Sequence, residues 1–109
     1  MTDVLLVITH LPDETSAGQL AEKIISQRMA ACVNRLGPCT STYRWQGQIE
    51  SASEVPLLIK TTRSAYGRLE QLIRDAHPYE LPEIVAVPVT AGLPAYLDWV
   101  RRESENSAL

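Results

Sequence analysis

Apolar residues fall into short blocks separated by prolines, glycines and charged residues, and the spacing inside each block names an element. Val4 to Thr9 is a continuous apolar, β-branched run, as expected of a central strand covered on at least one face. Pro12 and Asp13 break it. Asp13 is placed to cap a helix in which Ala17, Leu20, Ala21, Ile24, Ile25 and Met29 recur at helical spacing, with Glu14 near its positive end. Ala31 to Leu36 reads as a second strand, stopped by Gly37 and Pro38. Thr40 to Trp45 and Gln48 to Ala52 flank Gln46-Gly47, a two-residue hairpin turn, and strand resumes over Val55 to Thr61. Ser64 is the expected cap of a second helix carrying Tyr66, Leu69, Leu72, Ile73 and Ala76. Ile84 to Val89 is the last core strand, with Pro88 marking an edge or a bend. Pro94 fits the first turn of a short helix with Leu97 and Val100, and the polar tail from Arg101 to Leu109 is expected to fray.

This order of elements predicts an α+β fold: the βαββαβ sandwich of ferredoxin-like domains, an antiparallel sheet with both main helices on one face. The hairpin over residues 40–56 is more than that fold needs, a long arm between the second and third strands. Tyr43, Trp45 and Ile49 alternate along it, which reads as an apolar face that two helices cannot cover. A lone two-stranded arm is marginal in water, and aromatic residues are enriched at subunit interfaces. These three residues are therefore expected at an interface, with folding of the arm back onto its own subunit as the alternative.

At 109 residues the chain is one domain, residues 1–109, of ordinary globular composition. A formal charge of −3 offers no basic stripe, so nucleic acid and anionic membrane surfaces are not expected partners. Met1, Thr2 and Asp3 form no positive n-region and the run Val4 to Ile8 is too short for a signal h-region, so a cytoplasmic location is expected. Cys32 and Cys39 sit in no C-x-x-C pair. Cys32, inside the run Ala30 to Val33, reads as a small buried hydrophobe, and no disulfide is expected in a reducing compartment.

The densest chemistry is AHPYELPEI, residues 76 to 84. Pro78 removes an N–H donor and biases His77 away from the helical region, so the run is an elbow between helix and strand. It is either only that, or it displays His77, Tyr79, Glu80 and Glu83 at the mouth of a site. His77 offers an imidazole suited to copper, and Glu80 or Glu83 could add oxygen donors. Lys60 would meet an anionic ligand or pair with Glu80 or Glu83. There is no G-x-S-x-G, no H-E-x-x-H and no convincing cysteine nucleophile, so a non-enzyme is expected. A nucleotide ligand has no support without a Gly-rich phosphate loop.

RMAACVN (28–34), STYRWQGQIE (41–50), LLIKT (57–61), the elbow and YLDWV (96–100) occur in the order and spacing of CutA proteins. From about Val4 to Val100 the chain resembles that family, which is linked to divalent-cation tolerance. The resemblance implies a tight homotrimer, like PII-type signalling proteins in subunit fold and assembly, and an association with copper or related divalent metal ions. Family members have been associated with copper through a cysteine after the first strand and two adjacent histidines. The matching positions are Thr9, Ala76 and His77, so only His77 keeps a ligand, and weak, His77-dependent Cu(II) binding is the expectation. His10 is a substitute that strand alternation would turn the other way. A PII-like module binding a small molecule between subunits is the alternative reading.

Cover for the arm sets the first prediction. The protein should run at three times its 12.1 kDa subunit mass in light scattering; a monomer at micromolar concentration would remove the trimer.

Overall fold

A computed structural model describes residues 3–105 as a sheet with helices on both faces. In chain order the elements are β1 (Val4–Leu11), α1 (Glu14–Ser26), β2 (Cys32–Arg35), β3 (Cys39–Trp45), β4 (Gln48–Thr62), α2 (Arg63–Ala76), β5 (Val85–Pro88) and α3 (Pro94–Glu103). The sheet order is β2-β4-β1-β5, with β3 also on β4, and every pairing is antiparallel. This is the ferredoxin-like arrangement predicted.

β4 is a single fifteen-residue strand, not the two separate segments that the polar stretch Ser51–Glu54 suggested. Its first half pairs only with β3. Its second half lies between β1, through Leu11↔Val55 to Val4↔Thr62, and β2, through Arg35↔Leu57 to Cys32↔Lys60. Polar residues continue the strand because both of its faces there lie outside the core. The arm closes at Gln46 (φ 50°) and Gly47 (φ 79°), two left-handed residues in a row, as a primed hairpin turn requires.

Alternation divides the sheet. Leu5, Val7, Leu11, Val55, Leu57 and Ile59 pack on Ala17, Leu20 and Ile24 of α1 and Leu69 and Ile73 of α2, which form one continuous core. Ile25, one step off the α1 stripe, is 41% exposed. The other face carries Leu6, Ile8, Leu58, Val85 and Val87. α3 covers only one end of it, where Leu97 and Val100 pack on Val4. Asp13 caps α1 by accepting the Ser16 N–H at 2.7 Å, which holds its carboxyl below the usual range. The α2 cap is Thr62 rather than Ser64: its hydroxyl accepts the Ala65 N–H and also touches that of Ser64.

The frayed tail needs correction as far as residue 105. α3 runs to Glu103, and Ser104 is 2% exposed. Arg28, itself left-handed at φ 57°, donates to the carbonyl of Arg102 (2.8 Å), an acceptor that the helix end leaves open, and to that of Glu105 (3.0 Å) just beyond it. Arg101 bridges Asp3 and Asp98, each at 2.6 Å. Residues 106–109 lie outside the described residues. Among the described residues no helix is long and apolar enough to cross a membrane.

Ile59 is fully buried between the two helices. Ile59→Ala should cost about 2–5 kcal/mol, read as a lower urea midpoint at unchanged slope.

Candidate functional site

The elbow turns where α2 runs out. The His77 N–H still donates to the Ile73 carbonyl at 2.9 Å, but His77 has left the helix, with φ −77° and ψ 136°, the region that a following proline favours. Its ring, 8% exposed, is pinned at both nitrogens. Nδ1 accepts the Tyr79 N–H at 3.1 Å, so Nε2 carries the proton and donates to the His10 carbonyl at 2.6 Å. The elbow is thereby fastened to the end of β1, with the Tyr79 ring 4.7 Å from the imidazole.

Tyr79 fastens the elbow to the arm as well. Its hydroxyl donates to Glu54 Oε2 at 2.9 Å. Burial, with the Glu54 carboxylate adding to it, pushes the phenol up to about 12. On β1, His10 Nδ1 is 3.1 Å from Glu83 Oε1, close enough for an ion pair but not aligned as a hydrogen bond, so among the described residues this buried nitrogen has no hydrogen-bond partner.

These contacts frame a groove of about 760 Å³ between arm and elbow. The arm contributes Tyr43, Trp45, Glu50 and Glu54; the elbow contributes Tyr79, Glu80, Leu81 and Glu83; His10 lies at the base. Tyr79, Glu80 and Glu83 of the predicted site therefore meet. Lys60 does not join them. It sits at the other end of β4, donates to Asn34 Oδ1 at 2.8 Å and lies 6.0 Å from the Tyr96 ring centre. Its place follows from strand pairing, which sets Lys60 opposite Cys32 and Asn34 opposite Leu58.

Ile49 is also corrected. Trp45 pairs with Gln48 and Tyr43 with Glu50, whereas Ile49 pairs with Arg44. A two-residue turn places odd positions of β3 beside even positions of β4, so Ile49, 73% exposed, lies on the opposite face from Tyr43 and Trp45. The same arithmetic brings in Glu50 and Glu54, which reading along the strand passed over.

The copper set implied by the resemblance does not fit this geometry. Thr9, fully buried with a hydroxyl unpartnered among the described residues, is on the helix-facing side of β1, Ala76 has no side-chain donor, and His77 has no free lone pair. Among the described residues no three His, Cys, Asp or Glu side chains group as a metal would require.

Fold and groove together define the class: a ferredoxin-like α+β domain with a hairpin arm held beside a polar cleft. The family description "CutA1 divalent ion tolerance protein" matches residues 5–103. The divalent-cation tolerance protein CutA of Thermus thermophilus is 41% identical over 99 residues, covering 91% of this chain and 96% of that protein. The crystal structure of CutA from Xylella fastidiosa superposes with a TM-score of 0.93 at 42% identity, covering 95% of this chain and 100% of that one. A PII-like CutA from Nostoc gives 0.87 at 36% identity, covering 94% and 98%. The chain belongs to the CutA1 divalent ion tolerance family. It spans about half the length of some longer relatives, 54% of the one from Mus musculus.

The raised Tyr79 proton affinity fixes a pH dependence. The folded chain keeps this proton between about 10 and 12, where an unfolded tyrosine has lost it, so the contribution is complete below about pH 10 and disappears as pH rises through about 12. Tyr79→Phe should lose about 1 kcal/mol at neutral pH. It should also flatten the alkaline decline in urea stability, and a variant as alkali-sensitive as the parent would place that decline elsewhere.

Proposed function

We propose that this CutA-family chain is a non-catalytic binding module that works as a homotrimer, with the groove between arm and elbow as its ligand site. The groove carries the reading. It is concave, within the size range of small-molecule sites, and walled by segments far apart in sequence that Tyr79 and His77 hold together. A second copy is suggested by the uncovered stretch of sheet, where Val85 and Val87 are each 46% exposed beside Leu6, Ile8 and Leu58. The family resemblance supports three copies.

This favours the PII-like reading over a resident copper site. Both nitrogens of His77 serve the elbow, so the histidine expected to bind metal acts as a strut. His10, with Glu83 beside it, is the better placed imidazole, but two donors make a weak and unselective site.

Native mass spectrometry of untagged protein from its own host should show a trimer retaining an organic molecule without stoichiometric metal. In copper calorimetry, binding should be weak and reduced by His10→Ala, while His77→Ala lowers the melting temperature. A tight copper ion in each subunit, lost on His77→Ala, would overturn this reading in favour of metal.

A further inference from the structure

We infer that the groove is built for a linear polyamine, its methylene chain against the aromatic wall and its ammonium groups on the carboxylates. The inference rests on the groove being the ligand site and names the ligand's class. Glu50, Glu54, Glu80 and Glu83 all line the groove, and among the described residues no lysine or arginine does. Such one-signed clefts concentrate counter-ions. Glu54 is engaged by Tyr79 through one oxygen and Glu83 lies beside His10, but among the described residues neither the Glu50 nor the Glu80 carboxylate has a hydrogen-bond or ion-pair partner.

Carboxylates alone would be a solvated face. Here they border a hollow with Tyr43 and Trp45 in its wall, and aromatic faces attract ammonium groups and accept aliphatic chain. Spacing narrows the class further. Glu50, Ala52 and Glu54 share one face of β4, which separates the two acidic positions by about 13 Å. A metal ion or a single ammonium cannot span that distance, whereas a chain with several ammonium groups can. Ala52 between them leaves the floor low, and Ser41 opposite it is also small.

The test is calorimetry of spermidine trihydrochloride into the unaltered protein in amine-free buffer at low salt. Saturable binding tighter than that of Mg²⁺ or 1,8-octanediol is expected. It should weaken about tenfold or more in Glu50→Gln/Glu80→Gln, a variant first shown to keep its assembly mass, and with added salt. As a second readout, Trp99→Phe leaves Trp45 as the single indole, and its emission should shift on spermidine addition. No saturation below about 1 mM, or equal affinity in the double variant, would overturn the polyamine. If native mass spectrometry at the same time finds a neutral or anionic molecule in the trimer, the groove remains a ligand site and only its assigned chemistry is wrong. If Trp45 is closed to spermidine and also to a neutral quencher, another copy occupies the groove and both readings fall.

Discussion

The continuity of β4 is the constraint on which the rest of the molecule depends. One half of this strand is the middle of the core sheet, with Leu57 and Ile59 buried against the helices, and the other half is the inner rail of the arm. No hinge separates them, so the arm leaves the core in a direction set by core packing. β2 and β3 lie along the same edge of β4, interrupted at Leu36, Gly37 and Pro38, and the Leu36 N–H still donates to the Pro56 carbonyl across that gap. The arm is the sheet prolonged past the point where helices cover it.

A prolonged sheet creates a problem and a use for it. Among the described residues no helix packs on it, and its flank gives the elbow something to lie against. Two hydrogen bonds fix that relation: His77 to the His10 carbonyl and Tyr79 to Glu54. The elbow thus spans β1 and the arm, and the groove is the space this triangulation leaves. Its character comes from side chains that have no packing duty, since Glu50, Glu80 and Leu81 contribute no buried core contact.

The fold was legible because its signals are local. Asp13 before a helical stripe, Gln46-Gly47 between strands and Pro94 opening a helix each declare themselves within a few residues. What stayed hidden was pairing. Counting along each strand alone put Ile49 with Trp45, and only the register across the turn separates them. Lys60 was set near the elbow glutamates because sequence does not say which end of β4 the elbow meets. The chemistry of His77 was hidden for another reason: the imidazole is where a ligand would be, but its lone pair is directed at a backbone N–H supplied by the turn it initiates. Ser64 and Thr62 were a near miss, since both carry the hydroxyl that a cap needs.

The distances in sequence between contacting groups also bear on time. β1 precedes both of its neighbours in sequence, and the last of its edges is closed by Val85–Pro88. The His10 carbonyl waits 67 residues for His77, the Arg28 guanidinium waits 74 for the carbonyl of Arg102, and Asp3 waits 98 for Arg101. Contacts so far apart cannot form before the later partner has been made, and closing long loops slows folding. The nascent chain therefore carries the apolar β1 with one edge unpaired until Val85–Pro88 has been made. That is the interval in which it most needs protection from its neighbours.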